Sequence, residues 1–187
     1  EIDQLSDELA AVESDLEDAR EAKAEAQNEF EEQLQTLDDD LATVDLTVSA
    51  DTLQSLIDEQ IPDAKGEVQE AIETANTTVT ECEARKTTLE EDREELQTLD
   101  GVATCPKCGQ DVDPSHVESE LTDIEDELTE VEDKLAEARE ERNTLVDQRD
   151  ALDECREEAI ELRGFRDDTV EVKAERVNTV EDERETV

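Results

Sequence analysis

Two thiols three positions apart mark the segment of this chain with the clearest chemistry. Cys105-Pro-Lys-Cys108 is followed directly by Gly109. This spacing is typical of a knuckle that turns two thiolates toward one point: Pro106 fixes the turn, and Gly109 can adopt the positive φ that it needs. A structural zinc site has four ligands in a tetrahedron, and one knuckle supplies two of them. The sequence therefore predicts half of a zinc site.

Three other side chains in the sequence are candidates for the missing ligands. On a helix, Cys82 would lie ~35 Å and Cys155 ~70 Å from the knuckle, so neither is expected to reach it. Cys82 occupies a heptad d position and is expected to be a small core residue, whereas Cys155 flanks the heptad core and is expected to be a free thiol. His116 stays a candidate ligand, although a solvated first-turn histidine needs no special geometry.

An identical knuckle on a second molecule is the remaining source of ligands. Cys105 and Cys108 with their symmetry mates would form a closed site of four thiolates on a two-fold axis. We therefore expect one zinc ion shared between two chains, and a homodimer joined at that ion.

The composition predicts long helices rather than a compact globular core. The 187 residues include 61 acidic and 17 basic side chains, two phenylalanines, and no tryptophan, tyrosine or methionine. Such a composition leaves few bulky side chains for a core and is common in disordered chains. The apolar residues nevertheless recur with a helical period, which a disordered chain has no reason to keep.

The apolar residues on both sides of the knuckle follow alternating intervals of three and four, as the a and d positions of a heptad do. Before the knuckle these positions are Ile72, Ala75, Val79, Cys82, Lys86, Leu89, Arg93 and Leu96. After it they are Leu121, Ile124, Leu128, Val131, Leu135, Ala138, Arg142, Leu145, Arg149 and Leu152. Two such helices around a short loop should pair to cover their apolar positions. The predicted fold is all-α, a long antiparallel coiled-coil hairpin with the Cys-x-x-Cys loop at its apex.

Two interruptions divide the predicted helices. Pro62 and Gly66 interrupt the pattern before the knuckle, and Gly164 interrupts it afterwards. The predicted segments are an outer ascending helix at 1–48, a joint at 49–66, an inner ascending helix at 67–99, the loop at 100–116, an inner descending helix at 117–163 and an outer descending helix at 164–187. Folding the chain at the knuckle sets Gly164 opposite residue 49. This match suggests a shared joint, with two unrelated kinks as the alternative.

The loop is bounded by helix-ending and helix-starting residues. Asp100-Gly101 is expected to end the preceding helix. Either Asp113-Pro114 or Ser115 is expected to cap the following one, with Glu118 completing a capping box in the second case.

The net charge of −44 limits the partners of this segment. Phosphate binding needs clustered Lys and Arg, so we expect no direct nucleic-acid contact here. The even spread of acidic residues is similar to that of halophile proteins, which work where molar salt shortens the Debye length to ~3 Å; an ordinary acidic coiled coil is the alternative. No apolar run or leader predicts a membrane span or export, so we expect a cytoplasmic protein without membrane partners.

A helix that stops for Cys105-Pro-Lys-Cys108-Gly and resumes at DPSHVESEL resembles the zinc hook of the Rad-fifty family, coiled-coil ATPases that work with the Mre-eleven nuclease in DNA double-strand break repair. The resemblance covers residues 100–118 as a motif and residues 67–163 as an architecture, and the acidic composition fits a haloarchaeal member. It implies that Cys105 and Cys108 hold a shared zinc that tethers two complexes, and thus DNA ends or sister chromatids.

The same resemblance implies that the enzymatic parts lie outside this sequence. There is no GxxxxGK[ST] phosphate loop, so nucleotide binding would belong to missing head regions, as would contacts with DNA and with an Mre-eleven-like nuclease. A start at Glu1 without any methionine fits an excerpt of a longer chain. We expect no catalysis in this segment.

Two other readings of the motif stay open. A thiol-disulfide device could use the Cys-x-x-Cys pair, but it would need a βαβ setting, and the sequence has no strand pattern. A zinc-tipped arm of another SMC-like ATPase, or a purely structural spacer, would share this composition, because coiled-coil arms carry little family identity.

Overall fold

The computed structural model describes residues 2–99, 104, 109–111 and 113–186. Within these ranges the chain is all-helical, has no β-strand and contains three long helices. The helices are α1 at Ile2–Leu41, α2 at Leu53–Ser55, α3 at Ile61–Gln97, α4 at Pro114–Phe165 and α5 at Val172–Thr186, with a 3₁₀ turn at Ala42–Val44 and π-helical segments at Leu56–Gln60 and Arg166–Glu171. None of these helices has an apolar stretch long enough to cross a membrane.

The contacts divide the chain into two compact units. The first unit contains Glu1–Gly66 and Arg149–Val187, and the second contains Glu67–Gln148. Helices α3 and α4 each contribute residues to both units.

The second unit is built from the later part of α3 and the earlier part of α4. Its buried clusters contain the residues that the heptad pattern predicts: Val79, Leu135 and Ala138 in one, and Leu89, Leu128 and Val131 in the other. Ion pairs follow the same helices, at Glu83–Arg139, Lys86–Glu132 and Arg85–Glu127. Residues later in α3 thus contact residues earlier in α4, so the two helices run in opposite directions in this unit.

The outer part of the first unit pairs α1 with α5. Leu16 packs against Val177 and Val180, which are 6% and 0% exposed. Arg20 lies 2.6 Å from Glu181 at the edge of this contact. The sequence left open whether these segments pair within one chain or between copies, and in the structure they pair within the chain.

The predicted joint at 49–66 is shorter in the structure, and it begins earlier. Helix α1 ends at Leu41 and the following 3₁₀ turn at Val44, because Asp45 has a left-handed backbone with φ 59°. The Asp38 carboxylate then accepts a hydrogen bond from the Val48 amide at 2.7 Å, which holds the reversed chain against α1. Helical structure resumes at Leu53 rather than at residue 67.

Pro62 does not interrupt the helix that resumes at Leu53. In an α-helix its ring would clash with the carbonyl four residues earlier, and that carbonyl would lose its donor. Here the preceding turn is π-helical. The Ile61 amide donates to the carbonyl of Leu56, five residues earlier, rather than to the residue four positions earlier as in an α-helix. A π-helical turn is wider than an α-helical one, so the spacing between the proline ring and the preceding turn differs from that in an α-helix. Gly66, the other predicted breaker, lies inside α3.

Gly164 likewise lies inside a helix, so the predicted break there was wrong. The helical path continues from Pro114 to Thr186 and changes only to a π-helical segment at Arg166–Glu171. The start of this segment and the end of α4 face the joint: Arg166 donates to the Ala50 carbonyl at 3.3 Å, and Arg163 of α4 donates to the Gln54 side chain at 3.1 Å. These contacts agree with the expected opposition of Gly164 and residue 49.

Two stretches of the ascending chain lie against the same part of α4. The end of α1 contacts it where Leu37 and Leu162 line one cavity. The resumed helix contacts it again through Gln54 and Arg163, and through the ion pair of Lys65 with Asp153. Three helical segments therefore pack side by side here, because the chain steps back between Leu41 and Leu53.

This three-segment region contains many of the most deeply buried side chains of the first unit. Its fully buried leucines and isoleucines, exposed by 2% or less, are Leu37, Leu41, Leu53, Leu56, Ile57, Ile61 and Leu152. The composition argued against a compact core, but a small one forms where three helices replace two.

We predict that Ile61→Ala destabilises the first unit by about 2–5 kcal/mol, because it leaves a cavity at a fully buried position. Urea unfolding followed by circular dichroism measures the loss. Ile2→Ala is the matched control, since Ile2 is 84% exposed and its truncation leaves no cavity. Equal effects of the two substitutions would contradict the three-segment core.

Candidate metal centre

The predicted zinc ligands Cys105 and Cys108 lie outside the described residues, as do Pro106 and the pair Asp100-Gly101 that was expected to end the preceding helix. The structure describes their neighbours on both sides, and the candidate site is built from those neighbours.

The residues that flank the knuckle are paired. An isolated antiparallel bridge joins Thr104, directly before Cys105, to Asp111. Gly109, directly after Cys108, has φ 74°, the left-handed conformation that a knuckle glycine was expected to adopt. The backbone on the two sides of the Cys-x-x-Cys segment is thus brought together. The sequence analysis missed this bridge, because two single residues carry no strand pattern.

Asp113 begins the helix after the knuckle. Its carboxylate accepts hydrogen bonds from the Ser115 amide at 3.0 Å and from the Ser115 hydroxyl at 2.8 Å. Pro114 takes the first helical position, where its missing amide hydrogen costs nothing. Of the two expected caps, Asp113 is therefore the one that forms, and Ser115 lies within the first turn. The helix starts at Pro114 rather than at residue 117, so the loop is shorter than predicted.

The pKa of Asp113 is lowered from its ordinary value, first by the hydrogen bond from the Ser115 hydroxyl and then by the one from the Ser115 amide. Both bonds stabilise the ionised carboxylate. The ionised cap is therefore the form that the folded helix start prefers.

His116 occupies the first turn of α4 and points into solvent. Its side chain is 72% exposed, and its Nδ1 atom lies 3.9 Å from the Glu120 carboxylate one turn later. This is the position of a solvated first-turn histidine.

The two cysteines outside the knuckle lie in helix contacts. Cys82 is half-buried and contacts both clusters of the second unit, as expected for a d position. Cys155 is a free thiol, as expected, but it is buried rather than at the flank of the core. Burial raises the pKa of the Cys155 thiol, and Glu158 and Asp40 raise it further. A thiol held in its protonated form is a poor metal ligand.

In the part of the chain that the structure describes, no three His, Cys, Asp or Glu side chains are arranged to hold a metal ion.

No protein-family model matches this chain, and no curated protein or solved structure matches it either.

We predict that Asp113→Ala loosens the start of α4, because the amides of its first turn lose their acceptor. Amide hydrogen exchange at Ser115, followed by NMR, should speed up severalfold. Asp113→Asn is the control, since asparagine caps equally well. Because the folded pKa is lowered, the capping contribution of Asp113 is complete above the ordinary pKa of ~3.9 and is lost as pH falls through the folded value. The asparagine variant should lack this acid loss, and an identical loss in both would contradict the cap.

Proposed function

We propose that this chain is the zinc-mediated dimerisation segment of a Rad-fifty-like ATPase of the SMC class. In this proposal α3 and α4 form an antiparallel coiled-coil hairpin, and Cys105 and Cys108 at its apex hold one zinc ion together with the same pair of a second chain. The observation that carries the proposal is the Cys-x-x-Cys-Gly motif between two helices that pack in opposite directions.

The residues around the motif support a knuckle. Gly109 has the positive φ that lets the backbone turn after the second cysteine. The bridge between Thr104 and Asp111 brings the two flanks of the motif together. Two thiols on such a turn suit zinc, which prefers tetrahedral thiolate sites.

The shortage of in-chain ligands supports an intermolecular site. Cys82 is packed between buried clusters of the second unit, and Cys155 is buried in the first. His116 is exposed and lies next to Glu120, on a helix that needs no metal to begin. Two further thiolates are therefore most simply supplied by a second knuckle.

Zinc bound by thiolates would make the link conditional. The thiols must lose their protons to bind, so acid and chelators would open the site. The cross-helix contacts of the second unit are made by apolar side chains away from the knuckle, such as Leu89 with Leu128 and Val131, and these contacts would hold each hairpin together. The metal would thus join two hairpins rather than fold each one.

The wider role follows from the family resemblance. ATPase heads, and contacts with DNA and an Mre-eleven-like nuclease, would belong to regions outside this sequence. The link would then tether two complexes, and through them DNA ends or sister chromatids. The charge of −44 supports this division, because this segment would repel phosphate.

We predict that the chain is a dimer with half a zinc ion per chain, and a monomer after chelation. Light scattering with zinc analysis, at high salt, measures both. Cys105→Ser with Cys108→Ser should abolish the dimer and leave the helical content nearly unchanged, whereas the control Cys82→Ala should keep the dimer. One zinc ion per monomer would contradict the shared site and would indicate an in-chain ligand such as His116.

The competing classes predict different outcomes. A chain without zinc, whose two knuckle thiols cycle between dithiol and disulfide, would be a redox device. A chain that stays monomeric with no metal would be a structural spacer. Zinc-linked dimers without nucleotide-binding heads in the full-length protein would exclude the SMC class.

We predict that the zinc-linked dimer becomes tighter as NaCl rises from dilute to about 1 M, because two strongly acidic chains repel each other until salt screens them. Sedimentation velocity across a salt series, with zinc held constant, gives the dissociation constant. A dimer that weakens with salt would instead indicate an interface held by ion pairs.

A further inference from the structure

The chain that follows the second knuckle thiol is held at three described points before α4 begins. Gly109, directly after Cys108, turns the backbone with φ 74°. Asp111 pairs with Thr104 on the other side of the motif. Asp113 then caps α4. The flank of the knuckle is therefore tied both to the opposite flank and to the long helix that carries it.

Asp113 makes its connection to α4 through its side chain and its main chain. Its Oδ1 atom accepts hydrogen bonds from the Ser115 amide at 3.0 Å and from the Ser115 hydroxyl at 2.8 Å. Its carbonyl accepts bonds from the His116 and Val117 amides at 3.1 and 3.2 Å. Val117 is only 5% exposed, so the first turn that Asp113 binds is itself packed. Asp113 thus joins the flank of the knuckle to an ordered part of the helix.

A zinc site shared between two chains depends on such order. Each knuckle would supply two thiolates, and a tetrahedral zinc ion accepts them only within a narrow range of positions. Any freedom that a knuckle has before binding is lost when the metal binds, and this loss weakens the site. Removing a group that orients a metal ligand typically lowers the metal affinity by about 10- to 100-fold.

We propose that Asp113 is a positioning residue of the shared zinc site: by tying the flank after Cys108 to α4, it limits the positions that the two knuckle thiols can take. The Asp113 carboxylate is engaged with Ser115, so it acts as a cap and not as a ligand. This inference rests on the zinc-linked dimer proposed above and extends it to the residue that supports the ligands.

The two-fold symmetry of the proposed site gives this role a measurable signature. Every link contains two knuckles, so the losses at the two knuckles multiply. A helix cap typically changes an equilibrium constant by about fivefold. We therefore expect a dimer about fivefold weaker when one of its chains carries Asp113→Ala, and about 25-fold weaker when both chains carry it.

The test uses the whole chain with zinc held constant in about 1 M NaCl, where repulsion between the acidic chains is screened. Sedimentation velocity gives the dissociation constant of each homodimer. A trace of wild-type chain, labelled at its N-terminus and mixed with an excess of the variant, gives that of the mixed dimer. Cobalt(II) in place of zinc reports the ligand set by its absorption spectrum. Asp113→Ala should lower the cobalt affinity and leave the band positions unchanged, because the four thiolates remain.

Two control variants separate the cap from charge and from general helix stability. Asp113→Asn removes the same charge but keeps the cap, so it should retain the wild-type dissociation constant. Ala136→Gly lies at an exposed position of α4 and costs the helix about as much as a lost cap, but it should not weaken the link. Circular dichroism of each variant verifies that the helices are retained.

Four results would overturn the inference. An Asp113→Ala dimer as tight as the wild-type dimer would remove the positioning role and leave the shared zinc site intact. Equal weakening by Ala136→Gly would mean that helix stability, and not the cap, limits the link. A cobalt spectrum with shifted bands would make Asp113 a ligand. A wild-type chain that forms no metal-linked dimer would overturn the proposed function itself, and this inference with it.

Discussion

Each helix of this protein has a narrow apolar face that only another helix can cover, and every other element depends on that constraint. The chain has few bulky apolar residues and a net charge of −44, so it can bury only a line of contacts along paired helices. Val79 with Leu135 in the second unit and Leu16 with Val180 in the first show the same solution. Acidic residues occupy most of the remaining surface, where water and salt solvate them.

The joint shows what happens where a third helical segment becomes available. The chain steps back between Leu41 and Leu53, so that α4 is covered from two sides instead of one. On the ascending side, 34 residues separate Arg20 from Gln54. On the descending side, only 18 residues separate their hydrogen-bond partners, Glu181 and Arg163. The surplus ascending residues are taken up at this step, and they build the small core around Ile61. The π-helical turns at Leu56–Gln60 and Arg166–Glu171 let both helices pass through the region without ending.

The described residues beside the loop support the proposal of a shared metal ion. At the loop, Gly109, the Thr104–Asp111 bridge and the Asp113 cap order the backbone beside two thiols, which suits a shared metal ion. The proposed zinc site rests on a ligand set of which one chain would supply half.

The sequence by itself determined the helical class and the heptad positions that are buried in the second unit, and the prediction that Cys105 and Cys108 bind zinc rests on it alone. It did so because helical periodicity and metal-ligand spacing are local properties. Only the tertiary structure decided that helix resumes at Leu53, that Pro62 and Gly164 interrupt nothing, and that Cys155 is buried. Proline and glycine disfavour a helix by an amount that packing can outweigh, and the packing of a third segment depends on residues more than a hundred positions away. For the same reason, the cap at Asp113 was one of two options in the sequence and became one arrangement only in the folded chain.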